Sequence, residues 1–251
     1  MKRLEGRVAI VTGGGKGLGR AFCEGFAKEG AKVLAVTRKD IEGLKDTIKT
    51  VREFGAEGEY LQIDVTSRAD TEKMVKFAID RFGKIDILVN NAAIYYGLVR
   101  MPFYEISEEE WDMVMAVNVK GAWLSTIAVF PFMKEAGKGK IVNMTSEVFF
   151  TGSHGFVHYV TTKGAVIGLT RALAIELGPH NICINAVAPG FTDTEGARTI
   201  ADVTKYDTSK TPLRRLGTAE DIVGATIFLS SDEADFITGQ TILVNGGRAM
   251  H

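Results

Sequence analysis

Short, near-continuous apolar runs alternate along the chain with longer stretches in which apolar positions recur every three or four residues. The runs at 7–12, 32–37, 57–63, 85–90, 140–145, 181–188 and 241–244 are mostly rich in Val and Ile. They show little in–out alternation, the pattern of strands buried on both faces. The stretches at 17–30, 41–54, 67–82, 107–136, 157–178 and 218–230 carry the helical period. Strands alternating with helices over short connections predict parallel strands joined by right-handed crossovers. The expected fold is therefore α/β, one doubly wound domain over residues 1–251 with a seven-stranded parallel sheet and helices on both faces. Residues 191–216 escape the pattern. They follow a strand end and are polar and turn-rich, and a connection this long predicts a lid over whatever binds at the carboxyl edge of the sheet.

Charge then narrows the function. With 30 Lys+Arg against 31 Asp+Glu the net charge is −1, which gives no electrostatic footprint for nucleic acid. No apolar run approaches the ~18 residues of a membrane span. The N-terminal apolar run, four residues long, is too short for a signal-peptide core. Cys23 and Cys183, far apart and in apolar surroundings, read as reduced core thiols. The expectation is a cytoplasmic protein that contacts neither nucleic acid nor membrane.

Glycine is the unusual count, 28 of 251 residues, above a typical ~7%. Five glycines fall between Gly13 and Gly19, in the turn between the first strand and the first helix. There glycine admits φ > 0 and lets a pyrophosphate approach where a Cβ would collide, while the following helix presents free N–H groups to the anion. The spacing is Thr12-Gly13-x-x-x-Gly17-x-Gly19, not Gly-x-Gly-x-x-Gly, and its place on the first strand–helix turn points to a dinucleotide. The second strand ends at Thr37 and is followed by Arg38 and Lys39, where an acid would select NAD through the ribose 2′-hydroxyl. With Lys16 in the loop itself, these cations suit a 2′-phosphate, so the expected cofactor is NADP(H) and NAD(H) less so. Asp40 is the counter-signal, since a longer turn brings it to the ribose.

Tyr159 and Lys163 stand four apart at the start of an apolar helix, on one helical face, and Ser146 lies just past a strand end. Tyr206 and Lys210 share the spacing but sit in a polar stretch and read as an exposed lid pair. His154 and His158 are also four apart, but no third ligand is evident beside them, and no metal is expected.

With these residues in order, the chain resembles the short-chain dehydrogenase/reductase family in its compact form, over essentially its whole length. The landmarks are Thr12-Gly13-x-x-x-Gly17-x-Gly19, Asp64-Val65, Asn90-Asn91-Ala92-Ala93, Asn118, Ser146, Tyr159-x-x-x-Lys163 and Pro189-Gly190. Ala93 departs from the family's usual Gly, and its methyl narrows the space beside the cofactor. The resemblance implies a Rossmann-type fold and a cofactor site drawn from Gly13, Gly15, Lys16, Gly17, Leu18, Gly19, Thr37, Arg38, Asp64, Val65, Asn91, Ala92, Tyr159, Lys163, Pro189, Gly190, Thr192 and Thr194. It implies catalysis by Tyr159 as acid or base, Ser146 as hydrogen-bond donor to the carbonyl oxygen, Lys163 on the nicotinamide ribose, and Asn118 through a held water. Lys163 and the positive nicotinamide are expected to favour the phenolate of Tyr159.

The residues after the strand ends and in the lid, Ile94, Tyr95, Tyr96, Val148, Phe149, Phe150, His154, Phe156 and Phe191, are expected to line the substrate pocket. Tyr95, Tyr96, Val148, Phe149, Phe156 and Phe191 are its principal candidates. The set is aromatic with no evident cation, which suits an apolar, aryl or alicyclic ketone or secondary alcohol. The sequence is also similar to 3-oxoacyl-carrier-protein reductases, for which Arg214 and Arg215 are available as a basic surface. A non-catalytic NADP(H)-sensing protein on the same fold would be expected to lack one of Ser146, Tyr159 and Lys163. The helices at 107–136 and 157–178 match those that pair subunits in the family, so a homotetramer is expected.

Overall fold

Each apolar run of the sequence becomes a strand of one parallel sheet in the computed structural model, which describes residues 2–200 and 202–250. The strands are β1 (Val8–Thr12), β2 (Lys32–Thr37), β3 (Gly58–Gln62), β4 (Ile87–Asn90), β5 (Gly139–Met144), β6 (Ile182–Pro189) and β7 (Thr241–Val244). Their order is β3-β2-β1-β4-β5-β6-β7, and all pairings are parallel.

Both faces of this sheet are covered, which is why its central strands lack alternation. Ala9 and Val11 of β1 pack into one layer with Phe22, Cys23 and Phe26 of α1 (Gly17–Lys28), Leu44 and Ile48 of α2 (Ile41–Glu53), and Ile222 and Ile227 of a C-terminal helix at Ala219–Ser230. Ile10, between them on the strand, faces the other layer. There it meets Met74 and Ala78 of α3 (Arg68–Phe82), Val129 and Met133 of a helix at Gly121–Ala136, and Ala174 and Leu177 of one at Val157–Leu177. Successive strand residues thus enter opposite cores.

The stretch 107–136 is not one regular helix. It runs as α4 (Glu108–Met115), a π turn at Ala116–Lys120, and α5 (Gly121–Ala136). The span Glu108–Ala136 is long and apolar enough to cross a membrane by composition, with mean hydropathy 1.5 over its most apolar window, yet it is built into the fold. α5 packs on α3, β4 and β5, and α4 packs on the long helix after β5.

A one-turn helix α6 (Val148–Thr151) follows β5 and leads to α7 (Val157–Leu177). The lid segment begins after β6 and is partly ordered, with α8 (Glu195–Ile200) and 3-10 turns at Val203–Lys205 and Thr208–Lys210. It rejoins the body through a bridge between Thr192 and Gly217, before α9 (Ala219–Ser230). The strand order reverses between β1 and β4, and at such a switch point the strand ends open a crevice.

Candidate active site

The glycine turn is tied to the switch point. Gly13 adopts φ +70° and Gly17 φ +54°, both left-handed, and the N–H groups of Gly13 and Gly14 bond to the Val36 carbonyl at 2.7 and 3.1 Å. A Cβ on Gly19 would collide with the Gly13 carbonyl oxygen, so the start of α1 can pack here only without a side chain. The buried Thr12 hydroxyl accepts from the N–H groups of Asn91 and Ala92, each at 3.0 Å. The Asn91 amide donates to the carbonyls of Thr12 and Gly13 at 3.0 and 3.3 Å. Asn91 therefore fixes the turn from the far side of the crevice. The result is a bare backbone cradle at a helix N-terminus, a fit for a pyrophosphate.

At the end of β2 the charges settle their places. Arg38 pairs with Asp64 at 3.3 Å, half exposed. Burial works against ionisation of Asp64, but the Thr66 N–H and hydroxyl, at 2.9 and 2.7 Å, together with Arg38 hold its carboxyl below the usual range. Asp40 caps α2, accepting from the Gly43 N–H at 3.1 Å, and its carboxylate lies 3.2 Å from where a Cβ on Gly15 would sit. Lys16 lies 4.4 Å over the Tyr96 ring, and that ring covers both Gly17 and Gly196. Tyr96 thereby joins the glycine turn to the lid helix.

Across the crevice, α7 carries Tyr159 and Lys163 on one face, one turn apart. The Lys163 ammonium donates to the Met144 carbonyl at 2.9 Å and lies 5.3 Å from the Tyr159 ring centroid. Tyr159 is packed by Tyr95 at 5.1 Å and Phe156 at 6.2 Å, and its phenol bonds to the Ser146 hydroxyl. Burial pushes the phenol above its ordinary value and the neighbouring Tyr95 adds to this, while Ser146 pulls the other way. Burial also lowers Lys163 to about 8. Lys163 spends a hydrogen bond on Met144, and burial beside Tyr95 and Phe156 favours the neutral phenol of Tyr159; the positive nicotinamide, on which the expected phenolate also drew, would act against that burial when bound.

The glycine turn, the β2 end and the Ser146–Tyr159–Lys163 group line one cleft of about 710 Å³. A family model described as enoyl-(acyl carrier protein) reductase matches residues 13–249. The chain is 37% identical to a 3-oxoacyl-[acyl-carrier-protein] reductase of Thermotoga maritima, over 98% of each chain. It is 39% identical to a (2S)-[(R)-hydroxy(phenyl)methyl]succinyl-CoA dehydrogenase subunit of Thauera aromatica, again over 98% of each. The crystal structure of a levodione reductase superposes with a TM-score of 0.91 at 33% identity, over 98% of each chain. The chain belongs to the short-chain dehydrogenase/reductase family. As a member of that family it is an oxidoreductase that uses an NAD(P)(H) cofactor and acts on small molecules.

Most of the residues singled out in the sequence fall on this cleft, but not all. Gly17 is covered by Tyr96. Asn118 does not line the cleft. Held by the π turn, its amide oxygen accepts from the Ile94 N–H at 2.7 Å, and its nitrogen donates to the Ile94 carbonyl at 3.3 Å and the Thr162 hydroxyl at 3.2 Å. Asn118 joins the Tyr159 helix to the segment after β4. Phe149 turns outward, 46% exposed, against the space left by Gly164, so it leaves the pocket set. Tyr95, Tyr96, Val148, Phe156 and Phe191 line the cleft, as do Ile94 and Ala93, whereas Phe150 and His154 do not. His158 is buried and bonded to Glu110 at 2.8 Å. Among the described residues no cluster of His, Cys, Asp and Glu suits a metal.

Sequence reasoning missed several polar residues of the cleft, Tyr206, Glu147, Arg100 and Arg248 among them. Tyr206 is no exposed lid residue; it stacks on Phe191 at 4.4 Å and 18°. Glu147, Arg100 and Arg248 also face this end. Neither spacing nor period links these residues, which come from separate segments of the chain.

Proposed function

We propose that the protein is an NADP(H)-preferring enzyme that interconverts a ketone and a secondary alcohol whose body is apolar, aryl or alicyclic. The observation that carries this reading is the buried Tyr159 phenol, bonded to Ser146 beside Lys163, in the same cleft as the glycine cradle. A substrate carbonyl oxygen placed at the Ser146 and Tyr159 hydroxyls takes a hydrogen bond from Ser146 as charge develops and the proton from Tyr159. When bound, the nicotinamide would supply the hydride, and Lys163 would hold its ribose and keep a positive charge beside the phenol. In the oxidative direction the same phenol oxygen takes the proton back.

Lys16, Arg38 and Lys39 around the neutral Thr37, with Asp40 occupied as a helix cap, support selection of a 2′-phosphate. Charge-assisted hydrogen bonds of this kind discriminate by roughly 10- to 100-fold. The value of kcat/KM for NADPH should exceed that for NADH by about that factor, and Arg38→Ala should erase most of the difference. A preference for NADH in the wild-type protein would overturn the assignment.

The aromatic lining supports the substrate class, and the Thauera relative is named for a substrate bearing a hydroxy(phenyl)methyl group. The Thermotoga relative favours a second reading, reduction of 3-oxoacyl thioesters on a carrier protein. Against it, the Arg215 guanidinium is already bound by both carboxylate oxygens of Asp221, at 2.6 and 2.8 Å, and Arg214 bonds to the Ser209 carbonyl. Turnover of acetoacetyl thioesters but not of aryl or cyclic ketones would decide for the carrier reading.

The same reading places the enzyme in the cytosol, consistent with its two buried free thiols, and makes it a homotetramer. Met113, Trp123 and Phe132 on the α4–α5 unit and Ile175 on α7 are exposed apolar residues suited to subunit pairing. Sedimentation should give a mass four times that of the 27.2 kDa chain, and a monomer would refute this.

A further inference from the structure

The substrate end of the cleft carries two guanidiniums that the ketone chemistry leaves unused. Arg100 lies 4.3 Å over the Phe156 ring and is anchored by the Ser153 hydroxyl at 3.1 Å and the His154 carbonyl at 2.5 Å. Arg248, in the turn after β7, lies 5.0 Å over the Tyr206 ring and donates to the Asp207 carbonyl at 3.2 Å. Stacking engages the face of a guanidinium and leaves in-plane N–H donors for a ligand. The two charges meet at Tyr206: burial raises its phenol, Arg248 and Arg100 each pull it down, and Glu147 and Asp207 push it up. Arg100 acts likewise on Tyr95, whose ring adjoins Tyr159.

The acids lining the cleft are Asp40 and Asp64, both at the β2 end, and Glu147. Glu147 is one carboxylate against two guanidiniums. It is 4% exposed, its Oε1 lies 4.0 Å from Arg248, and burial raises its carboxyl while Arg248, Asn245 and the Phe191 N–H hold it down. The substrate end is therefore net positive, within an otherwise aromatic wall.

We propose that Arg100 and Arg248 form a receiving site for a carboxylate carried by the substrate, so that the preferred ketone is an aryl or alicyclic keto acid and not a neutral ketone. This rests on the ketone-reductase reading and deepens it by naming the substrate's second functional group.

The test uses the full chain with NADPH and a homologous series of aryl keto acids of increasing chain length, each beside its methyl ester. At the best chain length kcat/KM for the acid should exceed that for the ester by roughly 10- to 100-fold, an advantage that shrinks as ionic strength rises. In Arg248→Gln and Arg100→Gln the acid-to-ester ratio should fall toward one, and Arg248→Lys should keep part of it. If Arg248 merely latches the lid through Asp207, acid and ester slow together and the ratio keeps its wild-type value, which overturns the proposal. An ester turned over as well as its acid at every chain length overturns it too. A second readout is calorimetric binding of an aryl alkanoate, which has no ketone, to the NADPH-loaded protein. Binding that weakens in Arg248→Gln without turnover of any ketone would refute the reductase reading and leave the anion site standing. Turnover of esters with no alkanoate binding would do the reverse.

Discussion

Replacing Tyr159 by Phe is expected to lower kcat by about 10²- to 10⁴-fold while leaving the dissociation constant for NADPH within about threefold. The ring stays, so its packing against Tyr95 and Phe156 is kept, and what is lost is one hydroxyl and its bond to Ser146. That bond is worth ~1 kcal/mol of stability, too little to unfold the domain. The loss is therefore chemical: no proton donor remains where the carbonyl oxygen would sit. Because burial raises the phenol, the wild-type rate of ketone reduction should stay level through neutral pH. It should fall only as pH rises through a value above that of an ordinary phenol. Stopped-flow turnover with fluorescence titration of NADPH checks the first part, and a pH–rate profile the second. Full activity in the Phe variant would remove Tyr159 from the mechanism.

The burial of Tyr159 marks a limit of reading chemistry from sequence. Spacing put a phenol and an ammonium on one helical face, which α7 confirms, but spacing counts charges and not the water around them. Tyr95 and Phe156, which dry the phenol, come from the segment after β4 and from the start of α7. Their convergence is a tertiary fact. The same holds for Arg100, Glu147, Tyr206 and Arg248, which reach the cleft from four separate segments.

What was legible had a local or periodic cause. Strands buried on both faces are continuous apolar runs, so all seven could be placed from the pattern, and their alternation with helices implied parallel pairing, though not the order of the strands. The glycine turn was legible because a close backbone approach tolerates no side chain, as Gly19 against Gly13 demonstrates. The π turn at Ala116–Lys120 was not. Its residues fit a helical period, and the contacts it serves, Asn118 to Ile94 and to Thr162, are distant in the chain. Phe149 fails for a simpler reason. Adjacent side chains on a helix diverge by ~100°, and with Val148 on the cleft Phe149 turns away to lie against Gly164.

Lys163→Met is expected to abolish most turnover and yet leave the folded protein at least as stable at pH 7. The ammonium is buried, and burial lowers its pKa from 10.5 to about 8. Between those values the unfolded chain holds a proton that the folded one has lost, so this group adds stability as pH rises from about 8 to 10.5. Below about 8 the folded state carries the buried charge, at a cost on the order of 3 kcal/mol. Met removes that cost, and gives up the hydrogen bond to the Met144 carbonyl, ~1–3 kcal/mol for a buried acceptor. The two nearly offset, with the balance favouring the variant. Thermal unfolding of both proteins across pH separates this from a merely structural lysine. The Tm of the variant minus that of the wild type should be zero or positive at pH 7, and should fall steadily as pH passes from about 8 to 10.5, because only the wild type gains there. A variant less stable at pH 7 whose deficit shrinks at alkaline pH would mean that the ammonium stabilises the fold. It would then hold the site together, and its retention could not be ascribed to chemistry. Lys163 on this reading is a destabilising residue kept for its charge beside the Tyr159 phenol.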